Sequence, residues 1–366
     1  MTQRHPHLLW TLLLATGVVV CALAPPQAAS AKATTSDLVA RVNAYVEQIQ
    51  ATYGIPGIAL AIVKNGEVVY KDHHGYANLE HQVPVTEASI FRLYSLSKVM
   101  VAVSIFQLIE EGQLSLEAPI GTYLPDVPEG WRGVQVQHLL THSSGLPDVV
   151  GRTPQELQDY SEADALARVV ALPVTSAPGR TFDYNQTNFW LLQRLIETIT
   201  GTSLHEAVIG EQFPKANAAH VFFSTDSRDV IRHRATPYFP FLKGTLTIDH
   251  PHTSGTYLNA ASGLHLRLDD LIGWDRRFRN GELLNAASKE RMWAPFAYTA
   301  SDDLFTHSGN RIAFNDGHGY GFSGSLSTIY YTFPDEDLSI IFLSNGLSTL
   351  YNMKAMILDL AALTTE

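Results

Sequence analysis

Apolar residues recur at helical spacing near both ends of the chain. Between Ser36 and about Tyr53, apolar side chains return every three or four residues, and Ser36 is placed to cap the first turn. The same spacing returns from Leu347 to Leu363. Both stretches predict amphipathic helices that bury one face.

Beside each of these helices the pattern changes to that of a β-hairpin. The first pair of apolar runs flanks Asn65-Gly66, a dipeptide that adopts positive φ readily and favours a tight turn. The second pair flanks a polar turn at residues 334–337. The four predicted strands are Ile58–Val63, Val68–Tyr70, Leu326–Phe333 and Leu338–Leu343.

The middle of the chain is mainly helical in pattern, and strand signals there are sparse. A stretch rich in Pro, Thr and His, from about Ala235 to Gly255, reads as a long loop. The predicted helices are Val99–Glu111, Pro154–Leu172, Asn188–Thr200 and Leu268–Arg279.

These elements together predict an α+β fold. Both chain ends build one antiparallel sheet that is flanked by helices, and a mainly helical lobe is inserted between them. We expect residues 32–96 and 300–366 to form the discontinuous sheet lobe, and residues 97–299 to form the helical lobe. A cleft between two lobes is the default position of an active site.

The first 31 residues have the pattern of a signal peptide. Arg4 precedes an apolar run from Leu8 to Leu23, and Ala29-Ser30-Ala31 offers a cleavage site. We therefore expect a mature chain that begins near Lys32 and is exported to the periplasm or secreted. The alternatives are an uncleaved membrane anchor, for which the run is short, and a lipoprotein at Cys21, which lacks the small residue that normally precedes the lipidated cysteine.

Composition narrows the function classes. The 366 residues are 45% hydrophobic, which is enough to bury a large core. The net charge is −11 and no basic segment follows the leader, so nucleic-acid binding has little electrostatic support. The single cysteine, Cys21, lies in the predicted leader, which leaves no disulfide, cysteine–zinc site or cysteine nucleophile in the mature chain. The 15 histidines form no HExxH or comparable pattern, so we predict neither a metal nor another cofactor.

One short motif carries nucleophile chemistry. Ser95-Leu96-Ser97-Lys98 is an S-x-x-K sequence just before a strongly apolar helical run. A helix would place Lys98 one turn after Ser95 on the same face, within reach of its hydroxyl. A neutral Lys98 would take the Ser95 proton, and the helix N-terminus would favour negative charge near the Ser95 amide. The alternative is a serine that caps the helix beside a solvated lysine.

The sequence around this motif resembles the serine β-lactamase-like and penicillin-binding-protein-like family. That family includes class C β-lactamases, D-alanyl-D-alanine carboxypeptidases and related esterases. The resemblance runs in order over nearly the whole mature chain and implies an acyl-enzyme on Ser95 with Lys98 beside it. The segments that carry it are Phe91–Lys98, Phe106–Leu116, Leu139–Asp148, Pro178–Tyr184, Ala261–Leu264, Asp269–Leu271 and Leu343–Asn345.

The second motif of the family is Tyr-x-Asn, and this sequence has Tyr184-Asn185-Gln186. The resemblance implies that Tyr184 shuttles a proton near Ser95. A phenol loses its proton near pH 10, so this role needs Lys98 and another cation close by. Gln186 keeps an amide for hydrogen bonding to substrate but is one methylene longer than Asn. The alternative is a buried tyrosine that only packs a loop.

The third motif, Lys-Thr-Gly or His-x-Gly on the strand that lines the cleft, is matched by residues 317–321. The resemblance implies that His318 orients Tyr184 or a substrate carboxylate. It also implies that the Gly321 amide is the second oxyanion donor, or Tyr320 if the register slips by one. Tyr320 stands where Gly is usual, and we expect it to narrow the site. His142 with Ser143-Ser144 is interpreted as structural, since it lacks a G-x-S-x-G elbow.

The sequence therefore predicts an exported serine hydrolase. Its substrate is a small molecule or peptide: a D-amino-acid peptide, an ester or a β-lactam. Because two of the three motifs depart from the β-lactam-type forms, a peptidase or esterase ranks above an efficient β-lactamase. The alternatives are a catalytically inactive binding protein that retains the fold, and a membrane-anchored scaffold. The sequence does not indicate the oligomeric state.

Overall fold

The computed structural model describes residues 35–150, 161–226, 228–240, 246–248, 255–300, 305–325, 328–346 and 352–365. The predicted signal peptide, residues 1–31, lies outside the described residues. No helix in the described part of the chain combines the length and the apolar character that crossing a bilayer requires.

The predicted helices and strands are found in the predicted order where the structure describes them. Residues 154–160, 326–327 and 347–351 of the predicted elements lie outside the described residues. The helices are α1 (Thr35–Tyr53), α2 (Ser97–Glu110), α3 (Val136–Leu140), α4 (Glu162–Val170), α5 (Thr187–Thr200), α6 (Lys215–Ala218), α7 (Asn259–Ser262), α8 (Leu268–Arg279), α9 (Ala286–Trp293) and α10 (Met353–Leu363). The strands are β1 (Gly57–Lys64), β2 (Glu67–Asn78), β3 (Val83–Pro84), β4 (Phe91–Arg92), β5 (Phe222–Phe223), β6 (Tyr238–Pro240), β7 (Leu246–Ile248), β8 (Leu264–Leu266), β9 (Phe305–Thr306), β10 (Gly309–Phe314), β11 (Gly317–Gly324), β12 (Thr328–Phe333) and β13 (Leu338–Ser344).

The main sheet joins the two ends of the chain, which confirms the predicted α+β architecture. Its eight strands run in the order β3-β2-β1-β13-β12-β11-β10-β9, and neighbouring strands are antiparallel. The central pairing joins Ile58 of β1 to Ser344 of β13. Both strands are almost entirely buried, which is why their sequences are mainly apolar and do not alternate with exposed polar residues.

Helices cover both faces of the sheet. The terminal helices α1 and α10 pack on one face, where Val46 and Ile357 belong to the same buried cluster as Phe342 of β13. On the other face α8 lies against the sheet, and the Trp274 ring meets the Tyr330 ring edge-on at 5.6 Å. Asp275 of α8, fully buried, accepts hydrogen bonds from Tyr330 and Ser339 at 2.8 and 2.7 Å.

The first hairpin forms as its turn residues predict. Asn65 has a φ of 52° and Gly66 a φ of 79°, the left-handed conformations that a two-residue hairpin turn requires. Asn tolerates this region better than most residues and Gly adopts it without steric cost. The turn therefore fixes the register of β1 and β2 at the edge of the central strand pair.

Two short sheets depart from the prediction. Strands β4, β8 and β5 form a three-stranded sheet, partly within the region predicted as helical, and β6 pairs with β7 inside the predicted loop. These strands are two or three residues long. They depend on pairing between distant segments and leave no periodic pattern in the sequence. The division of the chain at residues 96/97 and 299/300 stays a prediction.

The central helix α2 positions the candidate nucleophile. Every residue from Ser97 to Phe106 is buried, so this helix is apolar on all sides and lies in the middle of the molecule. Gln212, also buried, donates hydrogen bonds to Met100 O at 2.8 Å and to Ser104 Oγ at 2.7 Å. A helix held on all sides gives its N-terminal turn a fixed position.

Candidate active site

Ser95 lies in a short 3-10 helix, Tyr94–Leu96, that leads directly into α2. Tyr94 has a φ of 49°, an uncommon conformation for a bulky residue. The Ser97 hydroxyl donates to Tyr94 O at 2.6 Å and accepts from Leu264 N at 3.1 Å, which holds the turn in place. This sharp entry to α2 leaves Ser95 half-buried while its neighbours on both sides are buried.

The structure brings Ser95, Lys98 and Tyr184 together. Tyr184 OH donates to Ser95 Oγ at 2.8 Å, and Lys98 Nζ lies 3.4 Å from the same oxygen. Lys98 is only 2% exposed, so the alternative of a helix-capping serine beside a solvated lysine does not hold. A hydroxyl with an amine and a phenol in hydrogen-bonding reach is the arrangement that general-base activation of a serine needs.

Two oxygens hold the Lys98 amine in place. Nζ donates to Gln186 Oε1 at 2.9 Å and to the backbone oxygen of Ala261 at 2.6 Å. Gln186 thus uses its side chain on the lysine, although it is longer than the Asn of the family motif. Sequence reasoning missed the Ala261 oxygen, because a backbone acceptor has no residue-type signature. The only signal was that residues 261–264 form one of the family-like segments.

His142 supports the loop that carries Tyr184. Its ring centroid lies 4.3 Å from that of Tyr184, and its Nδ1 is 3.4 Å from Asn185 N. Asn188 Nδ2 lies 3.1 Å from the same nitrogen. Burial and the nearby Lys98 hold the pKa of His142 well below its usual range, so the ring is neutral. This geometry agrees with the structural role that the sequence predicted for His142.

Asp148 adds a carboxylate that sequence reasoning did not assign to the site. Its Oδ1 accepts from Gln186 N at 3.0 Å and from Val150 N at 3.1 Å. Burial raises the pKa of Asp148, while these two backbone hydrogen bonds and Lys98 act in the opposite direction. Gln186 therefore contacts the lysine through its side chain and this carboxylate through its backbone.

The third predicted motif does not meet the other two, which corrects the assignment of His318. Strand β11 makes its closest approach to the Ser95 turn at Gly324, where an added Cβ would lie 1.9 Å from Leu93 O. His318 is six residues away on the same strand, or about 20 Å at the usual rise per residue. Its ring contacts are with Arg311, whose Nη2 is 2.6 Å from Nε2, and with Tyr320.

Tyr320 also lies away from the Ser95 turn, so the expectation that it narrows the site is wrong. Its ring stacks on Trp293 of α9, with centroids 4.8 Å apart and planes 10° from parallel. The Tyr320 ring therefore packs against α9, whereas the sequence had led us to expect that it projects into the cleft. The pocket beside it, of about 610 Å³, is lined by residues of α8, α9 and the second hairpin and not by Ser95 or Lys98.

Gly321 cannot serve as the oxyanion donor, because its backbone belongs to the sheet. It pairs with Asn310 of β10, and its carbonyl points at Gly309, 2.4 Å from where a Cβ on that glycine would be. In an antiparallel pair the N–H and C=O of one residue point to the same side, so the Gly321 amide is directed to β10 as well. Among the described residues, the pairing of β11 with β10 ends at Gly321.

Residues of β11 beyond Gly321 approach Ser95 and Tyr184, and sequence reasoning missed them. The Phe322 ring stacks against Tyr184 with centroids 6.2 Å apart, and Gly324 presses on the turn before Ser95. Ser323 is half-buried and Ser325 is exposed. The signal that would have found them is the glycine itself, since a glycine late in a strand often marks a close approach of another backbone.

The described residues contain no group of three His, Cys, Asp or Glu side chains arranged to hold a metal ion. The side chains that meet at Ser95 are instead an amine and a phenol, and an amide contacts the amine. This set provides proton transfer and hydrogen bonding to a carbonyl substrate.

Comparisons with known proteins agree with this geometry. The family model described as Beta-lactamase matches residues 42–363. PbpX of Bacillus subtilis (strain 168), which carries the name of a penicillin-binding protein, is 25% identical over 332 residues, covering 87% of this chain and 80% of its own length. Esterase EstB of Burkholderia gladioli is 30% identical over 190 residues, covering 47% of this chain and 48% of its own length.

A solved structure supports the fold. The D-amino acid amidase of Ochrobactrum anthropi SV3, complexed with D-phenylalanine, superposes with a TM-score of 0.74 at 18% identity. The match covers 88% of this chain and 98% of the amidase. Together with the family match over residues 42–363, it confirms the resemblance that the motifs around Ser95 and Tyr184 indicated.

Proposed function

This chain belongs to the beta-lactamase family, whose members are serine hydrolases, and from that premise we propose that it cleaves esters or amides through an acyl-enzyme on Ser95. The observation that carries the proposal is the Ser95 hydroxyl, with Tyr184 OH at 2.8 Å and Lys98 Nζ at 3.4 Å. Both partners are themselves held, Lys98 by Gln186 and Ala261, and Tyr184 by the ring of His142.

In the acylation step a neutral Lys98 amine takes the Ser95 proton while Ser95 Oγ forms a bond to the substrate carbonyl carbon. The carbon–heteroatom bond then breaks, and the Tyr184 phenol gives its proton to the departing alcohol or amine. The Lys98 ammonium returns a proton to Tyr184, so both groups recover their starting states. In deacylation, water gives a proton to Lys98, its oxygen bonds to the acyl carbon, and Ser95 Oγ leaves and regains a proton.

We propose that the backbone N–H groups of Ser95 and Ser325 donate hydrogen bonds to the oxyanion of the tetrahedral intermediate. Ser95 precedes α2, whose N-terminus favours negative charge. Gly324 O faces Thr328 of β12, 3.5 Å from its Oγ1, and the N–H of a trans peptide points away from its C=O, so the Ser325 amide is directed away from β12. Ser325 follows Gly324, the residue closest to the Ser95 turn. Phe322-Ser323-Gly324 thus takes the place that the sequence analysis gave to residues 318–320.

This arrangement favours esters and amino-acid amides over β-lactams. Phe322 stands where the family motif has Lys or His, so the strand offers no cation at that position to hold a substrate carboxylate. The names of two similar proteins, an esterase and a D-amino acid amidase, point to the same substrates.

We also propose that the chain is exported after cleavage near Lys32. Mass spectrometry of the secreted protein would contradict this proposal if it found residues 1–31 retained.

A fluorophosphonate probe tests the nucleophile directly. We expect the purified protein to be labelled at Ser95 and to hydrolyse a p-nitrophenyl ester. Ser95→Ala should lose both the label and the activity without unfolding, and Lys98→Ala should lose nearly as much activity because the two residues act as a unit. A folded wild-type protein that takes no label would instead support the alternative of a binding protein that has lost turnover.

A further inference from the structure

We propose that Arg92 is a positioning residue that ties the turn carrying Ser95 to the segment that holds the Lys98 amine. This inference rests on the acyl-enzyme function proposed for Ser95. It adds a residue outside the S-x-x-K motif, and that residue acts on the reaction through its neighbours.

The place of the Lys98 amine depends on a backbone oxygen outside its own helix. A lysine amine is carried on a flexible four-carbon stem, so α2 alone does not fix where Nζ lies. Nζ donates to Ala261 O at 2.6 Å and lies 3.4 Å from Ser95 Oγ. The distance between the amine and the nucleophile therefore changes with any movement of Ala261 relative to the Ser95 turn.

Arg92 links the nucleophile turn to the residue that follows Ala261. The backbone pairing beside the turn ends where Leu93 N donates to Leu264 O at 2.7 Å. Ala261 and Ser262 belong instead to α7, a helix of four residues, which is too short to be stable without tertiary contacts. Arg92 Nε donates to Ser262 O at 3.1 Å, and its Nη2 lies 3.5 Å from Ser262 Oγ. The side chain thus extends the contact between the two segments to the end of α7.

The same guanidinium contacts the nucleophile turn. Its Cζ lies 4.6 Å from the centroid of the Tyr94 ring, the spacing of a cation–π contact. Tyr94 precedes Ser95 and has a φ of 49°, a conformation that a bulky residue keeps only when its surroundings hold it. The Ser97 hydroxyl holds the carbonyl of Tyr94, and Arg92 covers its ring. One side chain therefore contacts both the residue before Ser95 and the residue after Ala261.

A purely structural role makes a different prediction. A cation at the C-terminal end of a helix satisfies its last carbonyl groups, as Arg92 does for α7. If that were its only role, removing it would lower the free energy of unfolding, and the folded enzyme would keep its kcat. Removing a positioning residue lowers kcat in the folded enzyme and leaves KM nearly unchanged. The two roles therefore differ in kcat measured per folded active site.

The main variant is Arg92→Ala, assayed with a p-nitrophenyl ester and with a fluorophosphonate probe. Labelling to completion counts the folded active sites, and thermal unfolding reports the stability. We expect kcat per labelled site and the labelling rate to fall by about 10- to 100-fold, since a misplacement of about 1 Å costs on the order of 100-fold in rate. KM should stay within about threefold of the wild-type value.

Arg267 provides a matched control beside the same short sheet. It follows β8, and its guanidinium donates to Asp270 through Nε at 3.0 Å and through Nη2 at 2.8 Å. Arg92→Lys and Arg267→Lys both keep the positive charge and lose the planar fork of donors. We expect kcat to fall by about 10-fold in Arg92→Lys and to stay within about threefold in Arg267→Lys.

Arg92→Ala with the kcat and labelling rate of the wild type would reduce Arg92 to a cap of α7. A raised KM with unchanged kcat would make it a substrate contact, and either result overturns the positioning role. If Arg92→Ala does not fold, the two lysine variants decide, because equal kcat in Arg92→Lys and Arg267→Lys also overturns the proposal. A wild-type protein that takes no fluorophosphonate label would overturn the hydrolase proposal itself.

Discussion

The two ends of strand β11 lie in the same sheet but have different surroundings. At one end Phe322 stacks on Tyr184, and Gly324 is pressed against Leu93, two residues before Ser95. At the other end His318 contacts Arg311, and Tyr320 stacks on Trp293. The residues that match the family's His-x-Gly motif best in sequence are therefore not at the end of β11 that approaches Ser95.

The two ends of β11 differ in the groups that pack against them. At the Gly324 end another backbone comes so close that no Cβ fits, and the neighbouring strand β10 stops before it. At the His318 end β10 continues alongside, and large side chains fill the space between the sheet and α9. The close approach of another backbone therefore identifies the end of β11 that meets Ser95 better than the presence of a histidine does.

The largest effect should separate the tyrosine at the catalytic end from the histidine at the distal end. Tyr184→Phe removes the hydroxyl that donates to Ser95 Oγ, and a lost proton-transfer group costs about 100- to 10,000-fold in kcat. His318→Gln should change kcat/KM for the same ester by less than about threefold, as expected for a surface substitution away from the site. Steady-state kinetics on a p-nitrophenyl ester measures both.

The outcome that would reverse the comparison is a His318→Gln variant as impaired as Tyr184→Phe. It would show that His318 takes part in catalysis. Residues 317–321 would then be the third family motif, as the sequence analysis predicted. A Tyr184→Phe variant with most of its activity would instead leave Lys98 as the sole proton carrier at Ser95 Oγ.

The parts of the site that the sequence predicted are those that local geometry determines. Ser95 and Lys98 are three residues apart at the start of a helix, so their approach follows from helix geometry once α2 exists. Tyr184 and Gln186 belong to a loop that carries a recognisable motif. Where β11 meets the Ser95 turn depends on pairing between segments more than 200 residues apart, such as the Thr328 Oγ1 bond to Leu93 O. Sequence spacing does not encode that register.

An intermediate effect should follow from adding one methyl group at either end of β11. In Gly324→Ala the new Cβ would lie 1.9 Å from Leu93 O, so the turn that holds Ser95 must move. Displacing a nucleophile by about 1 Å costs on the order of 100-fold in rate. In Gly317→Ala the nearest atom is Asp335 Oδ2 at 2.2 Å, the end of a side chain that can rotate away. That variant should keep kcat/KM within about threefold.

Thermal unfolding of both glycine variants shows whether each remains folded, and fluorophosphonate labelling rates then report on the nucleophile alone. If the two variants label equally fast while both are folded, the approach of Gly324 to Leu93 does not position Ser95. The difference between the ends of the strand would then be one of packing only.

The smallest catalytic effect should come from Tyr320. Its ring is half-buried and stacked on Trp293, so Tyr320→Gly removes an aromatic contact and leaves a gap beside α9. We expect a loss of about 1–3 kcal/mol in the free energy of unfolding. Tyr320→Phe keeps the ring and should lose much less. Because the ring does not reach Ser95, the ratio of kcat/KM between a β-lactam and a small p-nitrophenyl ester should stay within about twofold in both variants. A 10-fold or larger rise of that ratio in Tyr320→Gly, with Tyr320→Phe unchanged, would mean that the ring limits substrate access after all and that the distal end of β11 belongs to the binding cleft.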